Sequence, residues 1–363
     1  MFQKGPVAAA ASVMQSTLKN ATAVQQAISP VRDAISFGTA CNQPCYEQSR
    51  VAEDIVPEMF AQLGRVESAP ATLFSPQAAE GPAAAPLAGT FVDDSYTNAA
   101  GTRSYKLYVP STYTGEPRPL LVMLHGCTQD PDDFALGTRM NALAEEGGFL
   151  VVYPAQSGQA NRARCWNWYN NIDQQRDQGE PSIIAGITRD VMARYAVEGT
   201  QVYVAGLSAG GAMAAIMGTL YPDLFAAVGV HSGMPFAAAD NLPAAILAMK
   251  SGLQRRHKPD QEIPIIVFHG DRDTTVHPRN GRLLIEQARP QAQEVAVEPG
   301  RVPDGRAFTR TLHQGDDGRV HAEHWLVHGQ GHAWSGGHPG GTYTDGKGPD
   351  ASREMLRFFS TQR

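Results

Sequence analysis

The segment Gly206-Leu207-Ser208-Ala209-Gly210, followed by Gly211, has the residue types and spacing that point most directly to covalent chemistry. It lies between an apolar run, VYVA (202–205), and a helix-forming run, GAMAAIM (211–217). A serine on a sharp strand-to-helix turn projects its hydroxyl above a sheet edge, and the glycines keep side chains out of the crowded turn. The following helix N-terminus offers amides and partial positive charge to a developing oxyanion. A hydroxyl is a weak nucleophile by itself, so it needs a base and an acid to orient that base, in the chain order serine, acid, histidine. VFHGDRDTTV (267–276) supplies Asp271 and Asp273 just past a strand. Asp273 is the candidate acid, and Asp271 is expected to cap the turn through its backbone amides.

For the base, His332 lies in the glycine-flanked loop GQGHAWSGG (329–337), whereas His321, His324 and His328 sit on or beside a strand and read as structural. A second oxyanion donor beside the Ala209 amide is expected from His125-Gly126-Cys127-Thr128, with the Cys127 amide as donor and His125 bracing the loop. Cys165-Trp166-Asn167-Trp168-Tyr169 forms an aromatic cluster. Trp166 and Trp168, with Trp334 beside the histidine, are candidates to line a cleft and stack on substrate, the plain alternative being a small satellite core.

Other chemistries lack their signatures. No G-x-G-x-x-G or GxxxxGK segment follows a strand, so no nucleotide cradle is expected. HAEHWLVH (321–328) lacks the H-E-x-x-H spacing of a zinc site, and neither metal nor cofactor is expected. A cysteine hydrolase built on Cys127 would leave the serine turn unexplained.

These residues need a scaffold. LLVMLHG (120–126), GFLVVYP (148–154), QVYVAGLS (201–208), AAVGVHSG (226–233) and IPIIVFHG (263–270) are nearly continuous apolar runs, as expected of strands covered on both faces. SYKLYVP (104–110) reads as an edge strand ended by its proline, and HAEHWLVHG (321–329) as a later strand. Helical spacing marks 183–196, 209–222, 282–288 and 353–359, while 335–350 is a glycine-rich surface loop. Alternating strands and helices predict an α/β fold with a mostly parallel sheet covered by helices.

The 363 residues carry a net charge of -6 and no basic block, so no nucleic-acid surface is expected. No apolar run approaches the ~18 residues of a membrane span. Residues 1–89 contain two weak helical patterns and the alanine-proline-glycine stretch 75–89, and are expected to be an appendage and linker before a catalytic domain at 90–363. The first fifteen residues hint weakly at a secretory leader, with a short amphipathic helix as the alternative. Four cysteines, at 41, 45, 127 and 165, permit three pairings, and disulfides would favour an oxidising compartment.

Taken together, LHGCTQD, CWNWYN, VYVAGLSAGGAM, VHSG, FHGDRDTTVHPRNG and GHAWSGG resemble the poly(3-hydroxybutyrate) depolymerase-like esterases, relatives of feruloyl and acetylxylan esterases with the α/β-hydrolase fold. The resemblance covers roughly 100–360. It implies a Ser208–Asp273–His332 triad, an oxyanion amide at Cys127 and a disulfide from Cys127 to Cys165. It implies hydrolysis of polymeric or oligomeric hydroxybutyrate ester, with feruloyl or acetyl esters, or an amide-linked polyacid such as polyaspartate, as alternatives. It favours an extracellular or periplasmic location, and a cytoplasmic one stays open because the leader is unclear. Residues 1–89 match nothing in the resemblance, and oligomeric state is left undetermined. A non-catalytic binding protein is disfavoured, since every chemical role has a candidate residue.

Overall fold

The computed structural model describes residues 87–252, 262–288 and 293–362. Apart from 87–89, the expected appendage and its Cys41 and Cys45 lie outside the described residues.

Ten strands form one sheet in the order β1-β2-β4-β3-β5-β6-β7-β10-β9-β8. The inner six are β4 (Leu150–Pro154), β3 (Arg118–Leu124), β5 (Val197–Leu207), β6 (Ala227–His231), β7 (Ile265–Gly270) and β10 (Val320–Val327). They run parallel to one another. Hairpins extend both sides: β1 (Thr90–Asn98) with β2 (Gly101–Val109), and β8 (Gln293–Arg301) with β9 (Ala307–Gln314). The helices are α1 (Pro131–Thr138), α2 (Met140–Gly147), α3 (Gly179–Arg194), α4 (Ala209–Leu220), α5 (Leu242–Ser251), α6 (Arg279–Ala288) and α7 (Ala351–Ser360).

Side chains alternate across a strand, so β3 sends Leu120, Val122 and Leu124 into one core and Leu121 and Met123 into the other. The first core takes α3, α4 and α5; the second takes α1, α2 and α7. Both faces of the parallel strands are therefore dry, which is why their sequences are apolar without alternation.

Residues 104–110 do not form an edge. They belong to β2, which is covered on its outer side by β1. The mostly exposed β1 has too little apolar alternation to mark itself as a strand. The loop at 335–350 is anchored: His338 donates its amide to Gly137 O (2.9 Å) and Thr342 donates to the Asp133 carboxylate (2.8 Å).

The strand order reverses around β3. The chain goes from β3 outward to β4, then crosses back to β5 on the other side. Such switch points open a crevice at the carboxyl ends of the strands. Ser208 follows β5 there, and the 125–128 turn follows β3.

Candidate active site

Ser208 stands between β5 and α4 with φ 57° and ψ −119°. Few non-glycine residues adopt this backbone, and its cost is tolerated only where surrounding structure enforces it. The Ser208 amide donates to His231 O of β6 (2.9 Å), and its carbonyl accepts from Ala212 (2.9 Å). The flanking glycines answer a steric demand. A β-carbon on Gly206 would run into the Gly210 backbone, and one on Gly210 into the carbonyls of Leu124 and His125.

Asp273 follows β7 and His332 follows β10, its parallel neighbour. His332 Nδ1 lies 2.7 Å from Asp273 Oδ2. The other carboxylate oxygen accepts the amides of Thr275 (2.9 Å) and Val276 (2.8 Å), which fixes the acid's direction. Burial alone would raise the Asp273 pKa. The His332 charge and the hydrogen bonds from His269 and His332 outweigh burial and hold the carboxyl well below the usual carboxylate range. Asp273 therefore stays ionised, as an acceptor for an imidazole N–H must.

Asp271, expected to cap its own turn, instead reaches the following loop. It accepts the Gly329 amide (2.7 Å) and pairs with His328 Nδ1 (2.9 Å). Asp273, two residues on, pairs with His332, so the two aspartates hold the two ends of the 328–332 loop. His321 pairs with Asp317 (2.7 Å), while His324 lies at the helix α6 glycine, Gly281. Among the described residues no group of three or more histidines, cysteines or carboxylates could hold a metal.

Two histidines that sequence reading passed over also steady this loop system. His231, at the end of β6 in the VHSG segment, accepts the Ser335 amide at Nε2 (3.0 Å) and stacks on Trp334 with centroids 5.2 Å apart. Burial, with repulsion from His269 and His332, drives its pKa well down, so it is a neutral acceptor. His269 Nε2 meets Val276 O (2.8 Å) and lies 3.5 Å from Asp273 Oδ2, bracing the acid turn.

The turn after β3 lies beside the serine: a β-carbon on Gly126 would sit 3.6 Å from Ser208 Cβ. Cys127 is joined to Cys165 by a disulfide. The same residues face an apolar cavity of about 30 Å³, whose wall includes Cys127, Trp168, Tyr169, Ser208 and Ala209. Its far side is Met234 with Leu242, Ala245, Ile246 and Met249 of α5.

Of the three tryptophans expected to line a cleft, Trp168 does so. Trp166 and Trp334 do not: they are 0% and 1% exposed. Trp166 packs in the first core beside the His125 ring. Trp334 packs in the second, edge-on to Phe134, with Nε1 donating to Ser352 Oγ (3.1 Å). A fully covered indole has no face to offer a ligand, and sequence could not separate this role from stacking.

Residues 103–288, just over half of the chain, match the family model for Esterase PHB depolymerase. This chain belongs to that family. As a member of the PHB depolymerase esterases, it is 29% identical over 261 residues to Poly(3-hydroxyalkanoate) depolymerase C of Paucimonas lemoignei, covering 67% of this chain and 61% of that protein. Feruloyl esterase B of Neurospora crassa is 26% identical, covering 72% of this chain and 89% of that protein. The family member thus spans about three fifths of the depolymerase's length and most of the feruloyl esterase's. The solved acetyl xylan esterase from Aspergillus awamori shares the fold, with TM-score 0.57 at 19% identity, covering 74% of this chain and 99% of that one. No helix among the described residues is long and apolar enough to cross a membrane.

Proposed function

We propose that this esterase-family chain hydrolyses short-chain acyl esters through an acyl-enzyme on Ser208, with His332 as base and Asp273 as its orienting acid. The observation that carries the reading is a strained serine in the wall of an apolar cavity, at the same sheet edge as an ionised aspartate bonded to an imidazole. His332 takes the Ser208 proton as the hydroxyl attacks the carbonyl carbon. The carbonyl oxygen becomes an oxyanion facing the amides of Cys127 and Ala209. Collapse breaks the bond to the alcohol oxygen, which leaves with the proton held by His332. Water, deprotonated by His332, then attacks the acyl-enzyme and releases the acid and the free serine. Asp273 accepts the Nδ1 hydrogen throughout and stabilises the imidazolium.

The cavity supports a small acyl group. The space beside Ser208 for water-sized groups is small, about 30 Å³, one or two such groups, which favours acetyl over the phenylpropenoyl group of ferulate. Acetyl esters of a bulky alcohol, such as an acetylated polysaccharide, are thus the favoured substrates. Hydroxybutyrate esters are the second reading, favoured by Tyr169, whose hydroxyl-bearing side chain is part of the cavity wall. The Cys127–Cys165 disulfide suits an oxidising compartment.

The test is a panel of acetylated xylan, methyl ferulate, hydroxybutyrate oligomers and polyaspartate, with products read by mass spectrometry. Acetate release far above the others is expected, and predominant ferulate release would refute the acyl assignment. Ser208→Ala with undiminished hydrolysis of p-nitrophenyl acetate would refute the enzyme reading itself.

A further inference from the structure

Residues 341–345 join the turn after β3 to the loop that carries His332. On one side the Thr342 carbonyl accepts from Gln129 Nε2 (3.2 Å), and Gln129 Oε1 holds the Gly126 amide (3.0 Å). On the other, the Tyr343 carbonyl accepts the Trp334 amide (2.6 Å), and Trp334–Ser335 pairs in parallel with Thr344–Asp345. Trp334 lies two residues after His332. Tyr343 therefore bridges the Cys127–Thr128 turn and the imidazole loop.

Its side chain is tied at the hydroxyl. Thr128 Oγ1 gives its hydrogen to Cys127 O (2.6 Å), so the Tyr343 hydroxyl, 3.1 Å away, donates to Thr128 Oγ1. Both residues hold left-handed backbones, φ 51° for Tyr343 and 67° for Thr128. Bulky and β-branched residues rarely adopt that conformation, which persists only where the surroundings enforce it. Here it delivers an aromatic ring to the surface: Tyr343 is 42% exposed, whereas Trp166 and Trp334 are covered.

The direction of the reaction decides what meets that ring. On the reading above, the acyl group enters the cavity walled by Cys127, Trp168, Ser208 and α5, and Tyr343 is not part of that wall. His332 returns its proton to the alcohol oxygen, so the alcohol lies on the side of the base loop. Tyr343 is on that side, one hydrogen bond from the turn after β3 and one from the base loop. A tyrosine offers a rigid apolar face with a polar tip, which suits the C–H face of a sugar ring and its peripheral hydroxyls.

We infer that Tyr343 is a specificity-determining residue: its ring packs on a sugar of the alcohol portion while the acetyl group occupies the cavity, an assignment that rests on the acetyl-ester reading above. It holds substrate away from the reacting atoms and carries no proton in the reaction.

The test compares Tyr343→Ala with Tyr343→Phe on two esters of the same acid, acetylated xylo-oligosaccharide and ethyl acetate, with acid release followed by pH-stat. In Tyr343→Ala the ratio of kcat/KM on the oligosaccharide to that on ethyl acetate should fall about tenfold, the scale of one aromatic contact with the area it buries. The loss should sit in KM rather than kcat, as for binding shared by ground and transition states. Tyr343→Phe keeps the ring and loses the Thr128 bond, so it should retain most of the ratio. An unchanged ratio in folded Tyr343→Ala, or an equal fall in both variants, would overturn the inference. Binding to the inactive Ser208→Ala protein needs no turnover: the sugar-ring protons of the oligosaccharide should shift upfield in NMR through the tyrosine ring current. Shifts that persist when Tyr343→Ala is added would overturn it as well. Wild-type protein that cleaves ethyl acetate and hydroxybutyrate oligomers but not the oligosaccharide would remove the sugar assignment alone, whereas failure on every ester would remove the underlying reaction.

Discussion

Met249 is one of the α5 residues lining the cavity beside Ser208, and on the proposed reading a longer acyl chain would meet its side chain. Met249→Ala removes three heavy atoms beyond Cβ. The backbone bond from His277 N to Met249 O (2.7 Å) does not depend on that side chain, so the helix stays tied to the acid loop. Each methylene newly buried by substrate gains about 0.8 kcal/mol, roughly fourfold in kcat/KM. Filling the vacated space with two or three methylenes should raise the hexanoyl-to-acetyl ratio of kcat/KM by about 15- to 60-fold. The residue is 7% exposed, so the variant should also lose about 2–4 kcal/mol of stability. The assay is steady-state kinetics on p-nitrophenyl esters from acetyl to octanoyl, with denaturant unfolding measured alongside. An unchanged chain-length profile in a folded Met249→Ala protein would show that the acyl group does not enter this cavity.

Three further outcomes are expected. Asp273→Asn should lower kcat on p-nitrophenyl acetate by roughly 10³- to 10⁴-fold, and a loss below tenfold would remove Asp273 from the acid role. Reducing Cys127–Cys165, which spans 38 residues, should lower stability by about 4 kcal/mol; an unchanged unfolding midpoint after thiol treatment would contradict this. Glu180 titrates at about 7 in the fold against an unfolded value of 4.5, because burial and repulsion from Asp173 outweigh the bonds from Gln156, Asn167 and Arg103. A raised folded pKa means the fold holds the proton more tightly, so this contribution is full below 4.5 and is lost as pH rises through 7. Unfolding titrations should show that slope in the wild type and its loss in Glu180→Gln; equal slopes would refute it.

The inner sheet was legible because β3 to β7 are buried on both faces and leave unbroken apolar runs. The same physics hid β1 and β8, whose residues are mostly exposed and carry little periodic signal. Helix α5 was missed because LPAAILAMKS is apolar almost all round, having the cavity beside Ser208 on one side and a solvent-exposed Leu247 on the other. That Ser208 lies on a strand-to-helix turn, and Asp273 and His332 on loops following strands, was readable from turn glycines and chain order. Their supports were not. Whether His125, His231 or His269 accepts or donates depends on amides distant in sequence, such as Gln156 for His125 and Ser335 for His231. Asp271 likewise reached a loop 58 residues away, which no local turn rule could foresee.

Strand β10 carries the His332 loop, yet it is not a border of the sheet: β9 and β8 lie beyond it. Thermal fraying of a sheet begins at its outermost strand, where backbone groups face water. Here two strands must peel away before the His332 loop loses its footing. The exposed β8 is thus separated from the His332 loop by a whole intervening strand, so a change on its outward surface has β9 and β10 to cross before it reaches the imidazole.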